Sequence, residues 1–169
     1  YKYAIMLRGL RLNALSQLFA GLVNSVYDES FTNDEPLIKS IKTSIEGIVS
    51  SNWDRSFAIY KDLDRYLTMV ELDVLAAKGI GMTLEQLIDL YTINYPNMDE
   101  NEKNTWYDQE GRIVFTTNKS FVKCGVQKDT WEANKEHDFV ADDLLGITRA
   151  YKAPFFRTER VSLYKEAWE

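Results

Sequence analysis

The sequence holds almost no sulfur or imidazole chemistry: one cysteine, Cys124, and one histidine, His137, in 169 residues. An internal disulfide is therefore excluded, as is a zinc site of the usual Cys/His kind. The lack of a disulfide framework fits a reducing, cytoplasmic setting. The three prolines, Pro36, Pro96 and Pro154, stand apart from one another. No apolar run approaches the roughly 18 residues that a membrane span requires. Cationic excess is missing as well: 20 Lys and Arg face 26 Asp and Glu, for a net charge of −6. That balance excludes a strong stand-alone binder of phosphate backbones, whose affinity rests on neutralising them.

What is present is a globular composition. Hydrophobic residues make up 45% of the chain and aromatics 13%, enough for a packed core and too much for disorder. The opening Tyr-Lys-Tyr-Ala-Ile-Met-Leu-Arg lacks an initiating Met and a signal-peptide layout. The closing Lys-Glu-Ala-Trp-Glu reads as the middle of a helix, so a piece of a longer protein is expected.

The clearest local signal is Thr105 to Thr117, a β-hairpin. Asp108 opens a turn, Gly111 supplies the positive φ that closes it, and aromatic and β-branched residues flank both. The sequence predicts pairing of about residues 104–108 with 112–116. Before the hairpin the periodicity is helical. Residues 3–27 place Ile5, Leu12, Leu15, Phe19, Leu22, Val23 and Val26 on one stripe. Pro36 suits the first turn of a second helix burying Leu37, Ile41, Ile45 and Ile48. A long helix is expected over 54–78, with Phe57, Leu63, Leu67, Val70 and Val74 inward and Asp64, Arg65 and Glu71 off the stripe. Thr83 and Gln86 form a capping-box pattern for the next helix, which Asn94-Tyr95-Pro96-Asn97 stops. After the hairpin, 129–135 reads as a short helix and the acidic 136–143 as a loop. Residues 147–153 alternate as a third strand, and 158–168 reads as a terminal helix.

The expected fold is α+β. It comprises an N-terminal helical bundle (1–97) and a small α+β part (98–169). The second part holds one antiparallel sheet, the hairpin plus a strand carrying Tyr151, and ends in a C-terminal helix.

Chemical constellations are sparse. Gly79-Ile80-Gly81 follows a helix rather than a strand, so it reads as a helix stop and not as a nucleotide loop. Cys124 and His137 have no orienting acid and read as structural. Asp99, Glu100, Glu102, Asp108 and Glu110 crowd the hairpin's approach without the adjacent-strand setting of a metal nuclease, and read as solvated surface. No catalytic, cofactor-binding or metal residue is assigned. Basic residues interleaved with aromatics, namely Arg112, Lys119, Lys123, Lys128 and Arg149, are the candidate DNA contacts, a weak and sequence-independent strip. Arg157 and Arg160 extend it or cover the terminal helix.

Several segments carry a resemblance. They are Leu7-Arg8-Gly9-Leu10-Arg11-Leu12-Asn13-Ala14-Leu15, Met69 to Ala77 with the following Gly-Met-Thr-Leu-Glu-Gln-Leu-Ile, Tyr91 to Pro96, Thr105 to Thr116, and Ala153-Pro154-Phe155 with Arg157, Tyr164 and Ala167-Trp168. In this order the chain resembles the C-terminal portion of large bacterial class I SAM-dependent DNA methyltransferases of restriction–modification and phage-defence type, adenine-specific. The family's Asn-Pro-Pro-Tyr catalytic motif and SAM loop are absent, and Asn118 to Gly125 departs from the family's glycine-rich run. The resemblance implies a non-catalytic segment that assists DNA positioning or docks to the catalytic domain, with SAM bound by the parent chain and not here. It implies partners in the rest of the parent polypeptide and, weakly, DNA, with no membrane. The alternative is a stand-alone protein-interaction module, favoured by the acidic charge and the long apolar helix stripe.

Overall fold

The computed structural model describes residues 1–42, 51–118 and 123–169. The fold is α+β, and the chain divides into two compact units, Tyr1–Ile88 with Val161–Glu169, and Asp89–Arg160.

In the first unit, helix α1 (Lys2–Asn13) is followed by a 3-10 turn (Gln17–Phe19) and the short helix α2 (Ala20–Val26). The expected single helix over 3–27 is therefore broken. Ser16 is extended at φ −145° and ψ 163°, and the Asn13 side chain turns back to donate to the Gly9 carbonyl at 2.7 Å. Short polar side chains that bond nearby backbone favour helix ends over interiors. Tertiary partners take the carbonyls the break frees: Trp53 Nε1 donates to Ala14 and Tyr60 Oη to Leu15, each at 2.7 Å.

Helix α3 (Asp62–Gly79) starts eight residues later than the periodicity suggests. Asp54 explains the delay, because its carboxylate accepts from the Ser56 N–H at 2.6 Å and holds a turn there. Leu63, Leu67, Val70, Val74 and Ala77 are buried along α3 as expected, but so are Asp64 and Glu71. The binary pattern placed those two outside. Glu71 is drawn in by the buried Arg8 of α1, whose Nε donates to it at 2.7 Å. The other Glu71 oxygen accepts the N–H groups of Leu37 and Ile38 at 2.7 and 3.0 Å, and Arg8 also donates to Asp34 at 2.7 Å. A buried charge survives only when paired and hydrogen-bonded, and this one is both.

The same use of carboxylates overturns the start of the second expected helix. Residues 37–42 are not helical; Glu166 accepts from the Lys39 and Ser40 N–H groups at 2.7 Å each. The rest of that helix, with Ile45 and Ile48, lies outside the described residues. Leu7, Ala14, Val23, Phe31 and Phe57 form a core cluster. Late in α3, Tyr164 donates to Asp73 at 2.7 Å. The capping box forms as read: the Thr83 N–H reaches Gln86 at 2.8 Å and the Gln86 N–H reaches Thr83 at 3.3 Å, opening α4 (Leu84–Asn94).

The second unit carries α5 (Pro96–Lys103), α6 (Lys128–Asn134) and two separate two-stranded antiparallel sheets. Strands β1 (Trp106–Tyr107) and β2 (Ile113–Phe115) pair Trp106 with Phe115 and Tyr107 with Ile113. Val114 is the bulged residue, and its carbonyl accepts instead from Val126 at 2.8 Å. That close approach requires Gly125, where φ is +73° and a Cβ would collide with the Val114 carbonyl.

Strands β3 (Phe139–Asp142) and β4 (Thr148–Tyr151) form the other sheet, with Phe139 opposite Tyr151. The expected single three-stranded sheet is thus corrected, together with the loop over 136–143. The charges of that segment masked an alternation in which Phe139 is buried and Val140 exposed. Beside the hairpin, among the described residues, stand an isolated bridge from Tyr107 to Phe156 and a hydrogen bond from the Gln109 N–H to the Lys152 carbonyl at 3.1 Å. Val114, Val126, Trp131, Phe139 and Tyr151 make the unit's core cluster. Helix α7 (Arg160–Trp168) ends the chain. Among the described residues no helix is long and apolar enough to cross a membrane.

Candidate functional site

The hairpin turn is built on one buried carboxylate. Asp108 is fully buried; its Oδ1 accepts from the N–H groups of Glu110 and Arg112 at 3.0 and 2.9 Å. Its Oδ2 accepts from Arg112 Nε and Nη2 at 2.9 and 2.6 Å. Arg112 also donates to the Ala150 carbonyl and lies over the Tyr151 ring, 5.6 Å from its centre. A second tight turn repeats the device. Asp143 accepts from Leu145 and Ile147 N–H at 2.8 and 3.0 Å and from Arg149 Nε at 2.7 Å. The Arg149 hydrogen bond holds the Asp143 carboxyl below the usual carboxylate range, against the opposing effect of burial.

Two of the five candidate DNA contacts are thus engaged by carboxylates of the chain while keeping part of their side chains exposed. Arg112 and Arg149 hold the turns that shape their own sheets. Lys123 and Lys128 are exposed, and Lys119 lies outside the described residues. The arginines set to extend the strip are also engaged. Arg157 covers the Trp106 ring at 4.6 Å and donates to the Lys103 carbonyl at 3.1 Å. Arg160 makes a two-pronged bond to Glu102 at 2.9 and 2.7 Å. Tyr91 donates to that same Glu102 at 3.1 Å, and burial first, then the carboxylate, pushes its phenol well up. The acidic cluster before the hairpin is thus split between packing and surface: Glu102 is nearly buried, and Asp99 pairs with Lys103 at 2.6 Å. Among the described residues no group of three His, Cys, Asp or Glu side chains is placed to hold a metal ion.

Sequence reasoning missed a surface on the first unit. Leu15, Phe19 and Leu22, expected in the helix stripe, are exposed, and Leu18 is 94% exposed. Phe19 and Leu22 line a groove of about 350 Å³ between α1 and α2, with Met6, Gly9, Leu10 and Ala14 among the other lining residues. A signal for it was available: no charged residue occurs from Leu12 to Tyr27. Exposed apolar surface of this kind marks interaction sites rather than chemistry. No protein-family model, no curated protein and no solved structure matches the chain.

Proposed function

We propose that the chain is a non-catalytic segment of a multidomain, SAM-dependent, adenine-specific DNA methyltransferase of restriction–modification type. Its role is to dock onto the rest of that cytoplasmic polypeptide and hold it in register for DNA. The family-like motifs in their order support the reading, and one observation carries the division of labour. The polar residues of the hairpin motif, Asp108 and Arg112, are spent on each other inside the fold. Asp108 also holds the Glu110 and Arg112 N–H groups, so the pair's hydrogen bonds serve the turn, which supports a scaffold role.

Docking is favoured over a DNA-facing strip for the same reason. Phosphate contacts need available cations; Arg112, Arg149, Arg157 and Arg160 have partners within the chain, which leaves Lys123 and Lys128 as exposed cations of the strip among the described residues. Catalysis and SAM binding belong to the parent chain. The second reading, a stand-alone protein-interaction module, draws on the uncharged apolar surface of α1 and α2. Calorimetry with SAM on the 169-residue chain tests the division of labour, with no heat of binding expected. Stoichiometric binding at about 1 μM, equal to roughly 8 kcal/mol, would overturn it.

A further inference from the structure

Four consecutive backbone N–H groups, those of Leu37, Ile38, Lys39 and Ser40, are received in pairs by two carboxylates from different helices. The inner pair goes to Glu71 of α3, at 2.7 and 3.0 Å, and the outer pair to Glu166 of α7, at 2.7 Å each. The Ser40 hydroxyl adds a third bond to Glu166, at 2.5 Å. Solvent reaches the two grips unequally. Glu71 and its partner Arg8 keep 4% and 5% of their side-chain exposure, and Ile38 is buried, whereas Lys39 and Ser40 are exposed. Water competes for the outer bonds more than for the inner ones, and backbone bonds open to solvent belong to the low-stability end of a fold.

The helix that carries Glu166 has little support of its own. It is nine residues long, and isolated helices shorter than about 12–15 residues are marginal in water. Its residues from Val161 on return to the first unit only after the whole of Asp89–Arg160, so their docking closes a long loop. Tertiary contacts hold them there. Leu163, Tyr164 and Ala167 are buried, and Tyr164 donates to Asp73 of α3. Lys78 Nζ donates to the Trp168 carbonyl at 2.6 Å and lies over the Trp168 ring, 5.1 Å from its centre. We infer that α7 is a latch on the first unit that opens by itself: Glu166 releases Lys39 and Ser40 while Glu71 keeps Leu37 and Ile38. Opening bares the faces of Leu163, Tyr164 and Ala167 and leaves α1 joined to α3 through Arg8 and Glu71. The latch does not depend on the chain's serving a methyltransferase.

Native-state hydrogen exchange of the 169-residue chain, read amide by amide at low urea concentrations, tests the latch. The amides of Lys39, Ser40 and Tyr164 to Ala167 should share one opening. Their protection should lie about tenfold or more below that of Leu37, Ile38, Val70 and Val74; tenfold equals about 1.4 kcal/mol. That opening should also depend less on urea than the opening of Val70 and Val74, because it exposes less surface. Glu166→Ala should lower the protection of Lys39, Ser40 and the α7 amides by about tenfold more, as the loss of hydrogen bonds to a charged group implies, and leave Val70 and Val74 unchanged. Ser40→Ala, which removes one of the three bonds, should do the same to a smaller extent. Equal protection and equal urea dependence across α7 and α3 would overturn the inference, as would an even loss at all these amides in Glu166→Ala. Fast exchange at Lys39 and Ser40 with α7 as slow as α3 would overturn it too, since the outer bonds would then break without the helix moving.

Discussion

Arg112 Nε and Nη2 both reach Oδ2 of Asp108, at 2.9 and 2.6 Å, across a turn whose carboxylate is closed to solvent while the arginine keeps 27% of its side-chain exposure. The asymmetry sets the consequence of breaking the pair. Asp108→Ala removes the acceptor of two turn N–H groups, while Arg112 keeps the Ala150 carbonyl and Glu110, so the change should cost about 1–3 kcal/mol, the range for polar groups left unsatisfied. Asp108→Asn retains an acceptor oxygen for the turn and should cost less. Urea denaturation followed by the fluorescence of Trp106 and Trp131 measures both. A loss under about 1 kcal/mol for Asp108→Ala would mean that the turn holds without its carboxylate.

In the first unit, Glu71 ties α3 to Arg8 and to the N–H groups of Leu37 and Ile38. Removing it takes away the acceptor of the buried Arg8 Nε and leaves that guanidinium on Asp34 and the Ala4 and Glu35 carbonyls. Glu71→Ala should therefore destabilise by about 3–5 kcal/mol, and Glu71→Gln by less, since an amide oxygen can still accept both N–H groups. Far-UV circular dichroism through a urea titration checks the order. Equal losses for the two variants would show that the charge is irrelevant.

Glycine positions offer a paired comparison. Gly125→Ala puts a side chain in a left-handed conformation and against the Val114 carbonyl, whereas Gly81→Ala, at φ +79°, meets nothing within 4 Å among the described residues. The Gly81 change should cost about 1–2 kcal/mol for conformation alone. The Gly125 change should cost clearly more and open the Val114–Val126 hydrogen bond, seen as faster amide exchange at Val126. Similar costs for both would contradict the close approach at β2.

Acid should act on the β3–β4 turn through Asp143. Its folded carboxyl lies below the ordinary value because of Arg149. The stability it contributes is thus fully present above the unfolded value of about 3.9 and lost as pH falls through the lower folded value. Asp143→Asn should flatten that part of the acid limb and leave the neutral range unchanged in slope. An unaltered acid limb below about pH 4 would remove Asp143 from the account.

How much of this was legible follows from where the signals are local. The hairpin could be read because Asp108, Gly111 and the flanking strands act within a few residues, and the Thr83–Gln86 box for the same reason. Strand β3 was hidden because Glu136, Asp138, Asp142 and Asp143 gave the segment around it a loop-like charge, although Phe139 is buried on its inner face. The buried Glu71 was illegible because its partner, Arg8, is 63 residues away. The apolar groove was misread for a physical reason as well: periodicity says that residues share a face, not that anything within the chain covers it. Leu15, Phe19 and Leu22 share a stripe in sequence and stand exposed in the fold.

Methyl transfer tests the central claim most directly. Radiolabelled SAM and duplex DNA containing adenine would be supplied to the polypeptide of the complete reading frame and, separately, to the 169-residue chain. The account predicts N-methyladenine formation by the longer polypeptide and none by the shorter. Methylation by the 169-residue chain alone, or none by the complete polypeptide on any adenine-containing DNA, would contradict it.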